Sequence, residues 1–312
     1  MIKQFQLLAG TLFLAILVYS GLWYTTAFQA EKDVVALLSA WRNSGVSVEH
    51  GKIEHGGFPY RITVDIKDLT IKTRARGLDV SAKNIQLISH LWTPQHWLAE
   101  THGLQISTAA NSTRLTSDFM LASYKVHDDG KTLVAFESSA SKGFSITQFA
   151  GLEINTPDTW QFFLRFGDTE EKASTGLYSE RRLGFKLAAG GNAYTLDLIG
   201  GISGPVIKDW TKEQLTNWSN EGGLIEVDRL TIMAGGGTIK GNGSLTLDEK
   251  FQPLGSASLS ITEGNKAARR FREGGLRFED DLPDQGVLSL MLQNGSVSAN
   301  GTPLLPLESV ID

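Results

Sequence analysis

Hydrophobic and polar positions divide the chain into three regimes. From Leu7 to Tyr24 no side chain carries a charge, and the run is dominated by Leu, Ile, Val, Phe and Ala. At about 1.5 Å per residue in a helix, this run with Phe5 and Gln6 reaches roughly 30 Å, the hydrocarbon thickness of a bilayer. Residues 1–27 are therefore read as a transmembrane anchor, with Trp23 and Tyr24 suited to the headgroup boundary. The competing reading is a cleaved signal peptide. Lys3 supplies its basic start, but Thr25-Thr26-Ala27 is a poor small-x-small cleavage site.

The second regime is helical. Ala30, Val34, Leu37, Leu38 and Trp41 recur at helical spacing, and Asn43-Ser44-Gly45 supplies a stop. This predicts a separate amphipathic helix over 28–45, packed on the domain or lying on the membrane surface.

From Val46 onward the period is two. Ile62, Val64 and Ile66 share one face of a strand, while Thr63, Asp65 and Lys67 share the other. Leu69 and Ile71 continue the apolar face after a step of three, which calls for a β-bulge or short turn near Lys67-Asp68. Strands are predicted around 78–87, 103–109, 114–126, 132–138, 144–153, 183–188, 194–199, 224–233, 238–247, 254–261, 287–292 and 296–299. Asp128-Asp129-Gly130-Lys131 reads as a hairpin turn. The piece 89–100, with Trp92, Pro94 and Trp97, reads as a loop or single helical turn. Short helices are predicted from Asn155 through Phe166, over 208–220, and over 265–272. The polar stretch 167–179 is the boundary between a first β-rich unit, 46–166, and a second, 167–312, unless the two form one continuous domain. Ile66-Lys67-Asp68-Leu69-Thr70-Ile71 is echoed by Val227-Asp228-Arg229-Leu230-Thr231-Ile232. Duplication and convergence on a bulged strand both explain the echo.

The expected fold is mainly β (α+β): a transmembrane helix, then a large curved antiparallel sheet, in one unit or two related ones, with a few short amphipathic helices. About twelve strands would present roughly 1,100 Å² on one face, and four short helices would cover roughly 600–700 Å² of it. The remainder must close as a sandwich or line an apolar groove. The candidate groove residues are Ile62, Val64, Ile66, Leu69, Ile71, Ile225, Val227, Leu230 and Ile232.

Composition narrows the setting. The chain has no cysteine in 312 residues and a net charge of −5. The charge lacks the basic footprint of a nucleic-acid binder. A large extracytoplasmic domain without disulfides suits a bacterial periplasm better than a eukaryotic secretory route. The Asn-x-Ser/Thr triplets at Asn111, Asn217, Asn242 and Asn294 then carry no glycosylation signal. The six histidines show no metal-binding spacing, and no nucleophile elbow or phosphate loop is present. Gly235-Gly236-Gly237 reads as a turn, Glu170-Glu171 and Glu279-Asp280-Asp281 as solvated loops, and Arg269, Arg270 and Arg272 as a wet helix face. The sequence therefore predicts no enzyme, no cofactor and no metal. It predicts a membrane partner for Leu7–Tyr24, a lipid-like ligand, and residence in the bacterial inner membrane with the bulk facing the periplasm. The alternative is an envelope scaffold with a closed β core.

Gly57-Phe58-Pro59-Tyr60-Arg61 opens the first clear strand. Trp218, Gly222-Gly223-Leu224, Gly241-x-Gly243-x-Leu245-Thr246-Leu247-Asp248 and a Leu/Pro-rich tail follow in order. In this order the motifs resemble an uncharacterised bacterial family, domain of unknown function 2125. The resemblance spans most of the chain and implies a membrane-anchored envelope protein with no assigned catalytic residues. Gly57, Phe58, Pro59, Arg61, Trp218, Gly222 and Gly223 are its motif positions. The opening and the tethered β layout are also similar to AsmA-like proteins, whose β-grooves are implicated in moving or organising envelope lipids.

Overall fold

The computed structural model describes residues 2–73, 77–108, 113–140, 143, 145–148, 158–166, 181–189, 194–207, 211–273, 283–307 and 309–310. Through these run three helices and seventeen strands. They form two compact units, Met1–Lys125 with Lys142–Ile154, and Val126–Ser141 with Asn155–Asp312.

The first unit holds α1 (Ile2–Asn43), β1 (Ser47–Glu49), β2 (Ile53–Gly56), β3 (Ile62–Thr73), β4 (Leu78–His90), β5 (Thr93–Thr108), β6 (Thr113–Val126) and β8 (Ser145–Gln148). β1 and β2 both pair with β3, and the order continues β4, β5, β6, β8, all antiparallel. The expected anchor and amphipathic helix are one unbroken helix. No proline interrupts the first 43 residues, so nothing in the backbone marks the change from apolar to amphipathic sequence. Gly45, at φ +89°, ends it as read.

The stripe on α1 decides where it packs. Trp23, Ala27 and Leu38 are buried, with Ala30 and Val34 half-buried between them. Trp23 and Ala27 pack on Ile62, and Leu38 packs on Val48, Ile66 and Leu69. The spacing of four, three, four and four keeps these side chains on one side of the helix. The helix therefore docks on β1–β3. Ile66 and Leu69 share this core because Asp68, at φ +48°, is passed over in the β3–β4 ladder, which runs from Lys67↔Asn84 to Leu69↔Ala82. The irregularity crosses the sheet. Opposite it, the β4–β5 ladder is interrupted between Asn84↔His102 and Ser81↔Gln105 without a change of register, and Gly103 takes φ +61° against the Lys83 side chain.

The segment 89–100 is not a loop: β5 begins at Thr93. Its first residues leave the ladder with β4, whose register passes from Ile88↔Leu98 to His90↔Thr93. The Ser89 hydroxyl donates into that gap, 2.8 Å from the His96 carbonyl, so Pro94 sits where no ladder N–H is needed.

The second unit is a ten-stranded antiparallel sheet. Its strands are β7 (Thr132–Ser139), β9 (Thr159–Phe166), β10 (Arg181–Ala189), β11 (Tyr194–Ser203), β12 (Leu224–Ala234), β13 (Gly237–Leu247), β14 (Pro253–Thr262), β15 (Gln285–Gln293), β16 (Ser296–Ala299) and β17 (Thr302–Pro306). They neighbour one another in that order. Two helices, α2 (Lys212–Asn220) and α3 (Gly264–Glu273), are inserted. The helix expected through Phe163 and Phe166 is β9. Trp160, Phe162 and Leu164 alternate to one face, and ladders on both sides outweigh the i, i+3 aromatic spacing. β9 and β10 flank the polar stretch and pair with each other, so residues 155–166 belong to the second unit. The Pro-rich tail is β17. Asn294-Gly295 and Asn300-Gly301, all at positive φ, make the two-residue turns that lead into β16 and β17. The expected extra residue near Asp228 is present: Val227 pairs with Gly243 and Leu230 with Gly241, three residues against two.

Candidate functional site

Register in the second unit places apolar residues opposite apolar residues over many strands. One row reads Phe136, Phe162, Phe185, Leu198, Leu230, Gly241, Leu259, Leu288 from β7 to β15. The next reads Val134, Leu164, Leu183, Gly200, Val227, Gly243, Ala257, Leu290. Paired residues point to the same side, so both rows lie on one face. The glycines are spacing residues. A Cβ on Gly241 would meet Leu259 Cδ2 at 2.4 Å, and one on Gly243 would meet Ala257 Cβ at 2.6 Å.

The two helices bracket this face. α2 sits at one end, where Leu215 and Trp218 pack with Leu247, Ile202 and Ile225. α3 lies against β12 and β13 at the other end, with Ala267 and Ala268 buried. The deeply buried apolar residues of the unit, among them Ala234, Ile239, Leu247 and Ile261, gather at these two ends. Every apolar side chain in the two central rows stays half-buried. Among the described residues, α2 and α3 are the helices packed on this sheet. The band between them is roughly 15 Å wide and eight strands, about 34 Å, across, on the order of 500 Å². That size matches the largest apolar patch on a typical soluble monomer, which is often functional.

α2 is held by specific contacts. Thr211 caps it, accepting from the Gln214 N–H. Trp218 Nε1 donates to the Ser203 carbonyl at 2.8 Å, and Thr246 Oγ1 donates to the Gly223 carbonyl at 2.6 Å. Gly222, at φ +83°, turns the chain out of the helix, and Gly223 lies flat against the Trp218 ring. Nearby, Arg181 donates to the Gly204 carbonyl at 3.2 Å, and burial pushes its guanidinium below the usual arginine value.

The opposite face is mixed: polar side chains dominate β13 and β14, while Phe163, Ile199, Met233, Val287 and Met291 also lie on it. Arg182 pairs with Asp228, and Arg229 with Asp197. A shallow, open depression of about 530 Å³ there is lined by Glu226, Asp228, Asn242, Ser256, Ser258 and Ser289.

The groove residues expected from sequence separate into two sets. Ile62, Val64, Ile66 and Leu69 are buried and Ile71 is half-buried; Ile62, Ile66, Leu69 and Ile71 pack in the core beneath α1. They do not line an opening, because the helix stripe takes that surface. Ile225 lies under α2. Val227 and Leu230 lie in the open band, with Ile232 beside them towards α3. The rest of the band was missed: Phe136, Phe162, Phe185, Leu198, Leu259 and Leu288. Alternation within β10, where Leu183, Phe185 and Leu187 are separated by Gly184 and Lys186, was the local signal available; β7 and β9 carry unbroken apolar runs that hide the face.

The motif positions near the start also meet one another. Gly57, at φ +95°, has no room for a side chain, since a Cβ would lie 2.7 Å from the Arg61 carbonyl. The Arg61 N–H donates to the Gly57 carbonyl at 3.0 Å. Trp23 Nε1 donates to the Arg61 carbonyl at 2.7 Å, and Phe58 meets the Trp23 ring edge-on at 5.2 Å. The Phe58–Pro59 peptide is cis. Among the described residues no three metal-ligating side chains converge. The acidic runs at Glu170-Glu171 and Glu279-Asp280-Asp281 lie outside the described residues.

These features define a β-sheet protein carried on a long, apolar N-terminal helix, with an apolar face that, among the described residues, two short helices flank. The chain belongs to the family of uncharacterized proteins conserved in bacteria, DUF2125, whose signature matches residues 23–308. Comparison with curated proteins and with solved structures gave no match.

Proposed function

We propose that this protein is a single-pass anchored protein of the bacterial inner membrane, facing the periplasm, that holds or passes lipid-like molecules along the apolar band of its second sheet. The role is one of binding, without catalysis. The observation that carries it is the band itself: aromatic and aliphatic side chains aligned over eight strands, half-buried and bracketed by α2 and α3. An acyl chain laid there would gain about 0.8 kcal/mol per methylene removed from water. Two further features support the setting. The helix window with mean hydropathy 1.9 has none of its residues buried, which suits insertion into lipid. A cysteine-free chain suits an envelope protein that does without disulfides. The likeness in layout to AsmA-like proteins points the same way.

The test places a photo-crosslinking amino acid at Leu230, on the band, or at Lys240, on the opposite face, in the full chain in its native membrane. Mass spectrometry then identifies the adducts. Lipid adducts at Leu230 and not at Lys240 are expected. Equal yields at both sites, or none at Leu230, would sink the reading. A protein adduct at Leu230 would favour the scaffold with a covered face.

A further inference from the structure

Phe58, Tyr60 and Trp92 are 54%, 71% and 64% exposed. They belong to two connections of the first unit, residues 57–61 and 91–92, at the same end of β3–β5. Both connections touch one level of α1. Tyr19 donates its hydroxyl to the Pro59 carbonyl at 2.5 Å, and Trp23 donates to the Arg61 carbonyl. Leu91 packs in the same cluster as Trp23, Ala27 and Ile62.

That level is set by the anchor. No charge occurs between Lys3 and Glu31. A hydrocarbon core about 30 Å thick takes about 20 helical residues. A span starting at Gln4 therefore ends near Trp23, with Tyr19 about 6 Å inside it. Because α1 runs unbroken from the apolar span into the docked half, the two connections are held at the lipid boundary.

We infer that the Gly57–Arg61 loop and the Leu91-Trp92 turn form a membrane seat, which dips Phe58, Tyr60 and Trp92 into the outer headgroup region and fixes the first unit on the bilayer surface. Aromatic rings favour that depth, with an apolar body and, in Tyr and Trp, a polar tip. The loop is built for a place poor in water. Its Gly57, Pro59 and Arg61 carbonyls accept from Arg61, Tyr19 and Trp23 respectively, and Pro59 has no N–H to satisfy. The seat rests on the reading of α1 as a membrane anchor, and the experiment separates the two.

The chain has no cysteine, so a single one can be introduced and spin-labelled without background. The full-length variants Val18→Cys, Phe58→Cys, Tyr60→Cys, Trp92→Cys and Lys72→Cys would be reconstituted in phosphatidylethanolamine/phosphatidylglycerol vesicles. Collision with oxygen, which concentrates in lipid, is compared with collision with a water-soluble nickel chelate. Tyr60 and Trp92 are exposed and Lys72 lies at the other end of β3, so these labels leave the core intact. The expected result is a deep, oxygen-rich Val18 label and a water-exposed Lys72 label. Labels at 58, 60 and 92 would show nickel collision several-fold below Lys72 and oxygen collision between the two extremes. If Val18 is deep but 58, 60 and 92 match Lys72, the seat is overturned and the anchor stands. If the Val18 label is itself in water, both fall.

Discussion

Gly222 and Gly223 are adjacent glycines at the end of α2, yet the structure requires them for different reasons. Gly222 sits at φ +83°, and a Cβ there would meet nothing within 4 Å. Gly222→Ala therefore costs only left-handed backbone strain, about 1–2 kcal/mol. Gly223 has a φ open to any residue, but its Cβ would lie 2.2 Å from Trp218 Cδ2 and 2.3 Å from the Trp218 carbonyl oxygen. That oxygen accepts the Gly223 N–H at 2.7 Å, so moving it opens the turn that ends the helix. The alternative is to shift an indole that is 2% exposed and hydrogen-bonded to Ser203. Overpacking costs about 1–3 kcal/mol, and loss of a buried Trp about 3–5 kcal/mol. Gly223→Ala is thus expected to cost about 3 kcal/mol, clearly more than its neighbour. Urea unfolding of the full chain in detergent micelles, followed by tryptophan fluorescence, reads both values from the midpoint shift at constant slope. Trp218→Leu should cost less on the Gly223→Ala background than on the native chain, since the pair shares one clash. Equal costs for the two alanines, or a larger one at Gly222, would refute the assignment of Gly223 as the bed of the indole.

Other expectations are narrower. Leu38, 3% exposed between Val48, Ile66 and Leu69, should cost about 2–5 kcal/mol when changed to Ala, with faster proteolysis at the 44–46 turn as α1 loosens. Leu230→Lys should leave stability within about 1 kcal/mol, because the long side chain can reach water from an open face, while lipid crosslinking falls several-fold. A loss of several kcal/mol there would mean a closed core. The Lys131 backbone N–H, then the Lys131 and Arg165 charges, hold the Asp129 carboxyl below its ordinary value. A depressed acid stabilises the hairpin above its unfolded-state value, and the effect fades as pH falls through the lower folded-state value. Carboxyl titration by NMR should therefore place Asp129 below 3.8, and Lys131→Pro, which deletes the donor, should raise it.

Local features were legible where one residue type answers one local demand. The irregularity at Asp68, at φ +48°, follows from a step of three in an alternating pattern, and the stop at Gly45 from a glycine after a helical run. The same logic located the turn at Gly130. It failed at β9, where Trp160, Phe163 and Phe166 mimic helical spacing. There the choice was made by two neighbouring ladders, which no window of local sequence contains. It failed again at Pro94, because the Ser89 hydroxyl that accommodates the gap comes from the preceding strand.

By itself the sequence determined that an uncharged apolar helix precedes a two-faced β body, since length, charge and period are local properties of the chain. Which apolar face is covered was decided only in three dimensions. The Ile62–Leu69 face and the Val227–Leu230 face look alike residue by residue, and both take a step of three. One meets the stripe of α1 and becomes a core. Among the described residues the other meets helices at its two ends, α2 beside Ile225 and α3 beside Gly237. Burial depends on what the rest of the chain brings to a surface, and alternation specifies only that there is a surface to bring it to.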